Sequence, residues 1–308
     1  MLRTPGIHHI TAIVNDPQVN YDFYSNVLGL RLVKKTVNFD RPEVYHLYFG
    51  NKSGDPGTII TFFPWPKLPK GRVGSGQVGT TSYVIPIGSM DFWKNRLQQE
   101  GISFTLDSRF NETSIQFQDP DGLQIELVER ETDTDNSWGT NEIDKEHAIQ
   151  GFGGATLYSA QPNETADVLE NILGMEFVRQ AGDYLRYQTQ ESLGNRIDIK
   201  LSPSVRGLAG AGTIHHIAWR AKNEEEHQRW QELLETKKLQ PTEMKDRNYF
   251  KALYFQEAGG ILFEIATDAP GFAVDETPDK LGEKLMLPSW FESKRKEFEA
   301  KLPPIKVQ

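Results

Sequence analysis

Of the seven histidines in the chain, four stand in two adjacent pairs, His8-His9 in GIHHITAIV and His215-His216 in TIHHIAW. Imidazoles bind divalent metals and carry protons near neutral pH, so the doubled pattern points first to metal chemistry. A carboxylate would complete such a site. Glu264 lies in the apolar run GGILFEIAT, where an unpaired charge among phenylalanine and isoleucine side chains would be costly to bury and a metal is one of few remedies. The 308 residues include no cysteine, which excludes disulfides, zinc-thiolate clusters and thiol nucleophiles and leaves His, Asp and Glu to hold any ion. Two imidazoles and one carboxylate make up a facial triad, which keeps positions open on iron(II) or a similar ion.

Strands must carry these residues, and side chains on a strand alternate between its faces. In the first strand His8, Ile10, Ala12 and Val14 form the more apolar face and His9, Thr11 and Ile13 the other. The second pair sits in the same way, with His215, Ile217 and Trp219 against His216, Ala218 and Arg220. In the closing strand Ile261, Phe263 and Ile265 oppose Glu264. Parity therefore predicts that His9, His216 and Glu264 share one concave side. His8 and His215 start on the opposite faces, from which a twisted strand end could carry their rings around the sheet edge.

Internal repeats set the architecture around these strands. NVLGLRLV (26–33) returns as NILGMEFV (171–178), and DPDGLQIELVE (119–129) aligns with EAGGILFEIAT (257–267), which sets Glu126 at the position of Glu264. VGTTSYVI against GAGTIHHIA puts Ser82 and Tyr83 where the second copy has His215 and His216. The first helix starts at Asp16-Pro17, buries Phe23, Tyr24, Val27 and Leu28, and stops at Gly29. Four βαβββ units follow, at 6–64, 79–129, 151–201 and 213–267. The expected fold is α+β, two domains with cupped mixed sheets: units 1 and 4 pair around the metal and units 2 and 3 form the other domain. That pairing could be made within one chain or across a domain-swapped dimer. Because the third unit begins GFGGATL and offers Glu126 no histidine, the second cup is expected to be metal-free, with one ion per chain.

The polar stretch ERETDTDNSWGTNEIDKE reads as a linker between the halves, and KLPKGRVGSGQVG and SPSVRGLAGAG are matching Pro/Gly-rich runs. Residues 269–308 read as a tail with one amphipathic helix around Trp290 to Leu302. Gly74, Gly76 and Gly79 satisfy G-x-G-x-x-G but precede a strand, so no phosphate-cradling turn is expected there. A net charge of −9 and a pI near 5.4 disfavour nucleic acid and anionic membrane as partners. No secretory or membrane-spanning segment is evident, so a soluble cytoplasmic protein is expected.

The four-unit plan with FYSNVLGL resembles the vicinal-oxygen-chelate superfamily of glyoxalases and extradiol dioxygenases. More closely, IHHITA, YHLYFG, PGTIITFFP, EHAIQGF, TIHHIAW, DRNYF to ALYF and GGILFE resemble the hydroquinone-type ring-cleaving dioxygenases over nearly the whole chain. The resemblance implies Fe(II), with Mn(II) or Zn(II) as alternatives, held by His9, His216 and Glu264. It implies catalytic roles for His8, His215, Arg247 and Tyr254, and a small aromatic diol and dioxygen as reaction partners. His46 and His147 match family segments without a derivable role. A glyoxalase-like site takes a carboxylate from the closing strand of both units, whereas the first unit here closes with TIITFFP. The resemblance makes hydroquinone the first expectation of substrate and catechol the second. A glyoxalase-like isomerase, a thiol transferase and a metal-free binding protein are the alternatives, and the oligomeric state, a homo-oligomer included, stays open.

Overall fold

The computed structural model describes residues 2–133, 137–202 and 204–307. Residues 134–136 of the expected linker, Pro203 of the second Pro/Gly-rich run and Gln308 of the tail lie outside the described residues. Among the described residues no helix is long and apolar enough to cross a membrane.

Each repeat folds as strand, helix and three further strands. The first comprises β1 (Ile7–Val14), α1 (Pro17–Tyr21), β2 (Arg31–Asn38), β3 (Arg41–Gly50) and β4 (Ile59–Pro64). The second has β5 (Gln77–Ile85), α2 (Met90–Gln99), β6 (Phe104–Arg109), β7 (Glu112–Gln118) and β8 (Gln124–Glu129). The third has β9 (Gly151–Tyr158), α3 (Pro162–Asp167), β10 (Glu176–Ala181), β11 (Tyr184–Gln188) and β12 (Arg196–Lys200). The fourth has β13 (Thr213–Ala221), α4 (Glu224–Thr236), β14 (Lys245–Asp246), β15 (Phe250–Gln256) and β16 (Leu262–Pro270). Two eight-stranded sheets result, ordered β14-β15-β16-β13-β1-β4-β3-β2 and β10-β11-β12-β9-β5-β8-β7-β6. In each, two repeats meet through their first strands, β1 with β13 and β5 with β9, both antiparallel.

The first helix begins as its sequence dictates, with the Asp16 side chain accepting from the Gln18 and Val19 amides and Pro17 in the first turn. From Asp22 to Val27 it widens into π-helical turns before Gly29 ends it at φ +69°. Tyr24 and Leu28 are fully buried from this helix, against the sheet face that carries Ile10, Ala12, Leu47 and Phe62.

Three expectations need correction. Ser82 pairs with Glu126 in the second sheet and Ala218 with Glu264 in the first, so the structural equivalents of His215 and His216 are Gly79 and Thr80, not Ser82 and Tyr83. The linker is no loose tether: Ile143 is fully buried against Gly29, and Arg31 lies over the Trp138 ring. In the tail, the helix is only α5 (Arg295–Lys301) and leaves Trp290 outside it, half-exposed, and β16 runs on to Pro270. The stretch before it inserts Phe272 and Leu281 into a small core with Val33, Tyr48, Tyr249 and Phe250 inside the first cup. It is clamped there by Lys34, which is fully buried and ion-paired to both Asp275 and Glu276.

Candidate metal centre and its pocket

Inside the first cup, one nitrogen each from His9 and His216 and one Glu264 oxygen lie within 4.8 Å of one another, all three residues buried. The Nε2 atoms of His9 and His216 are 3.2 Å apart, and Glu264 Oε2 is 3.5 Å from the first and 2.9 Å from the second. They meet within a single chain, on the two strands that join the repeats and on β16 beside them. Among the described residues no other trio of His, Asp or Glu converges in this way.

A divalent ion fits these donors. Glu264 is wholly buried, its Oε2 lies against the ring nitrogens of His9 and His216, and neither oxygen has a well-aligned donor, an arrangement that is costly unless a cation takes the lone pairs. Burial opposes its charge, but attraction to His9 and His216 outweighs it and holds the carboxyl well below the usual range. Burial also lowers the His216 pKa, which favours the neutral ring that can ligate.

The first member of each histidine pair sits at an irregularity that parity could not reveal. Between β1 and β13 the register shifts twice, leaving His8 as the extra residue on one strand and His215 on the other. A β-bulge re-aims its extra side chain, so both members of each pair emerge on the cup side. His8 Nδ1 lies 2.9 Å from His9 Nδ1, and His215 Nδ1 lies 2.8 Å from His216 Nδ1. Each inner ring thus meets its own neighbour at its far nitrogen, a contact that orients the ring and leaves Nε2 for the centre. His8 is buried, hydrogen-bonded to the Thr267 backbone and packed on Phe250, at 5.2 Å between ring centroids. His215 is exposed toward the pocket mouth, beside Phe63.

Arg247 and Tyr254 come from the β14–β15 hairpin of the same sheet. Tyr254 pairs in register with Glu264, and its ring centroid is 5.6 Å from that of His216. Arg247 Nε donates to the Tyr254 hydroxyl at 3.3 Å. Burial and then the Glu264 charge raise the Tyr254 pKa, so its phenol keeps its proton. His46 belongs here as well: its Nε2 is 2.8 Å from Thr61 Oγ1, its Nδ1 is 2.8 Å from the Tyr48 hydroxyl, and Thr61 in turn bonds Thr11. The alternation of His46 and Tyr48 on β3, set beside Thr61 on β4, was the available signal for this trio. His147 is elsewhere, stacked on Phe92 of the second repeat.

Two cavities serve the centre. An inner space of about 30 Å³ is lined by His9, His46, Tyr48, His216 and Phe250, and it adjoins a mouth of about 480 Å³ walled by Ile13, Phe63, Trp65, Leu68 and His215. On β4 the position matching Glu264 is Thr61, since Thr61 pairs with Thr11 as Glu264 pairs with Ala218.

The second cup keeps a glutamate, Glu126, at the place of Glu264 but has no histidine at either matching pair. Gly153 and Gly154 replace His8 and His9, and a Cβ on Gly154 would come within 1.9 Å of the Arg196 carbonyl oxygen. Arg109, in the hairpin place of Arg247, turns inward to pair with Glu126 and stands 3.5 Å from Asp198. A guanidinium occupies the centre of that cup.

Comparison with known proteins gives consistent results. Residues 6–127 and 151–265 match the family model for the glyoxalase/bleomycin resistance protein/dioxygenase superfamily. The chain is 56% identical over 306 residues to MhqO of Bacillus subtilis, provisionally named a ring-cleaving dioxygenase, covering 99% of this chain and 98% of that one. It is 32% identical over 310 residues to the chlorohydroquinone/hydroquinone 1,2-dioxygenase of Sphingobium indicum, covering 96% and 95%. A crystal structure from Bacillus subtilis, provisionally described as a dioxygenase, superposes with a TM-score of 0.99 at 55% identity, over 100% of this chain and 99% of that one. Glyoxalase I from Zea mays, at 14% identity and TM-score 0.62 over 85% and 92%, shares the fold alone.

Proposed function

The chain belongs to the glyoxalase/bleomycin resistance protein/dioxygenase superfamily, and from that premise we propose that it is an iron(II)-dependent ring-cleaving dioxygenase of the extradiol type, acting on hydroquinone or a related dihydroxybenzene. The observation that carries the reading is the buried trio His9, His216 and Glu264, converging beside an apolar mouth large enough for an aromatic ring. The relatives named as ring-cleaving dioxygenases support it.

When bound, the metal supplies the Lewis acidity that ionises a phenolic hydroxyl and the site where dioxygen meets the ring. Both oxygen atoms end in the product, so no external reductant is required. The residues of the chain do the rest. Phe63, Trp65 and Leu68 flank the ring and exclude water from it. His215 at the mouth is placed to take the proton of an entering hydroxyl and to return it later. Tyr254 offers a phenolic proton to an oxygen near the centre, and Arg247 positions that phenol and offsets negative charge as it develops.

Thr61 bears on the alternative of a glyoxalase-like isomerase. It stands where a second carboxylate would have to project, and its hydroxyl is engaged by His46 and Thr11. Without that carboxylate the site lacks a fourth protein ligand and the carboxylate base that a glyoxalase-like proton transfer at a substrate carbon would use.

The test is anaerobic loading with iron(II) followed by oxygen-uptake traces against hydroquinone, catechol and the methylglyoxal–glutathione adduct. Stoichiometric uptake with hydroquinone, and a ring-opened product, is the expected result. Metal binding without oxygen uptake on either diol would overturn the reading.

A further inference from the structure

Two turns from opposite ends of the chain face each other over the first cup. The β2–β3 turn carries Asp40, the β14–β15 turn carries Arg247, and Arg247 Nη2 donates to Asp40 Oδ2 at 3.0 Å. Both residues line the inner cavity and the mouth, so the ion pair stands at the boundary of the two, beside His216. The Asp40 side chain is 61% exposed, and the turn does not depend on it. That turn is held instead by Asn38 Oδ1, which accepts from the Asp40 and Arg41 amides at 2.9 and 3.2 Å. A carboxylate that is dispensable for its own loop, yet occupies the guanidinium beside the centre, calls for a role in the pocket.

We propose that Asp40 is a specificity-determining residue: by pairing with Arg247 at the boundary of the two cavities, it excludes dihydroxybenzenes that carry a ring carboxylate and favours neutral ones. The inference rests on the reading of the site as one for aromatic diols. Guanidinium pairs readily with carboxylates, often in bidentate form, and here Nε is taken by Tyr254 and Nη2 by Asp40. A substrate carboxylate would be left with Nη1 alone or would have to displace Asp40, and in either case would lie next to its charge. Built-in repulsion of this kind is a usual means of discrimination between close analogues. Neutral ring substituents meet no such obstacle in a mouth walled by Phe63, Trp65 and Leu68.

The experiment compares the wild type with Asp40→Asn and with Asp40→Asn/Arg247→Gln, using hydroquinone and 2,5-dihydroxybenzoate, which differ by one carboxylate. Binding is measured by anaerobic calorimetry on iron(II)-treated protein, where no turnover occurs, and kcat/KM by aerobic oxygen uptake. In Asp40→Asn the preference for 2,5-dihydroxybenzoate relative to hydroquinone should rise ~10-fold or more in both readouts, the size expected of one charge-assisted hydrogen bond gained. The added Arg247→Gln change should cancel the gain in binding, which a general loosening of the loop would not do. An unchanged ratio in Asp40→Asn, or a gain that survives Arg247→Gln, overturns the proposal. Should no protein consume oxygen with either diol, the dioxygenase reading falls, while the calorimetric ratio still decides the part played by Asp40.

Discussion

Removing a ligand and removing the residue that orients it have separable consequences. His9→Ala, His216→Ala and Glu264→Gln each delete one of three proposed donors, and the purified proteins should fail to retain iron(II) in metal analysis. His8→Ala and His215→Ala leave all three donors in place and remove only the partner at Nδ1, a change that typically costs ~10–100-fold in affinity or rate. These two variants should keep iron and lose turnover, with His215→Ala the more impaired because His215 lines the mouth where substrate enters. Iron lost from the His8 or His215 variant but kept in the His9 or His216 variant would exchange the assignments. Much of this arrangement is legible in the sequence, because strict alternation along three strands suffices to bring His9, His216 and Glu264 to one face. The bulges at His8 and His215 are not legible, since a bulge depends on the register between strands from opposite ends of the chain. His46 and Asp40 stay hidden for a similar reason: each acquires its role from a partner on another strand or turn.

Among the elements, the repeated strand–helix–strand unit declares itself through the paired NVLGLRLV and NILGMEFV segments, whereas the strap after β16 does not. Its sequence, DETPDKLGEK, reads as solvated tail, yet Asp275 and Glu276 close over Lys34, and the Tyr249 hydroxyl donates to Asp275 at 2.9 Å. The clue was a lysine in RLVKKTVN at a position facing into the cup, since a fully buried ammonium demands partners. Deleting one side of a buried ion pair is strongly destabilising, because the charges left behind keep their desolvation cost. Lys34→Met should therefore lower stability by ~3–5 kcal/mol in urea denaturation. Lys34→Met/Asp275→Asn/Glu276→Gln should recover most of that loss, because the unpaired carboxylates are gone. A single variant as stable as the wild type would show that the strap is held by Phe272 and Leu281 alone.

Across the whole molecule, the chain order 1-2-3-4 is folded so that its first and last quarters share one sheet, and His9 and His216, the two proposed ligand histidines, lie 207 residues apart in sequence but on neighbouring strands. In the unfolded chain these donors are dispersed, so an ion held by them would bind the native state almost exclusively and would stabilise it by mass action, by ~4 kcal/mol at a concentration a thousandfold above Kd. For a chain of this size each kcal/mol corresponds to roughly 2–4 °C in Tm. Iron(II) or manganese(II), added anaerobically, should accordingly raise the melting temperature of the wild type by roughly 10 °C, with one ion per chain by metal analysis. The second sheet should contribute nothing to that count. Its Glu126 already has a cation in Arg109, and β9 has glycine at Gly154, where any side chain would strike the Arg196 backbone. Glu126→Gln should retain the single ion and the full metal-dependent rise, whereas Glu264→Gln should melt at the same temperature with and without metal. Two ions per chain, or a metal-dependent rise that survives Glu264→Gln, would mean that the guanidinium has not displaced metal from the second cup and that the two halves of the molecule are still functionally alike.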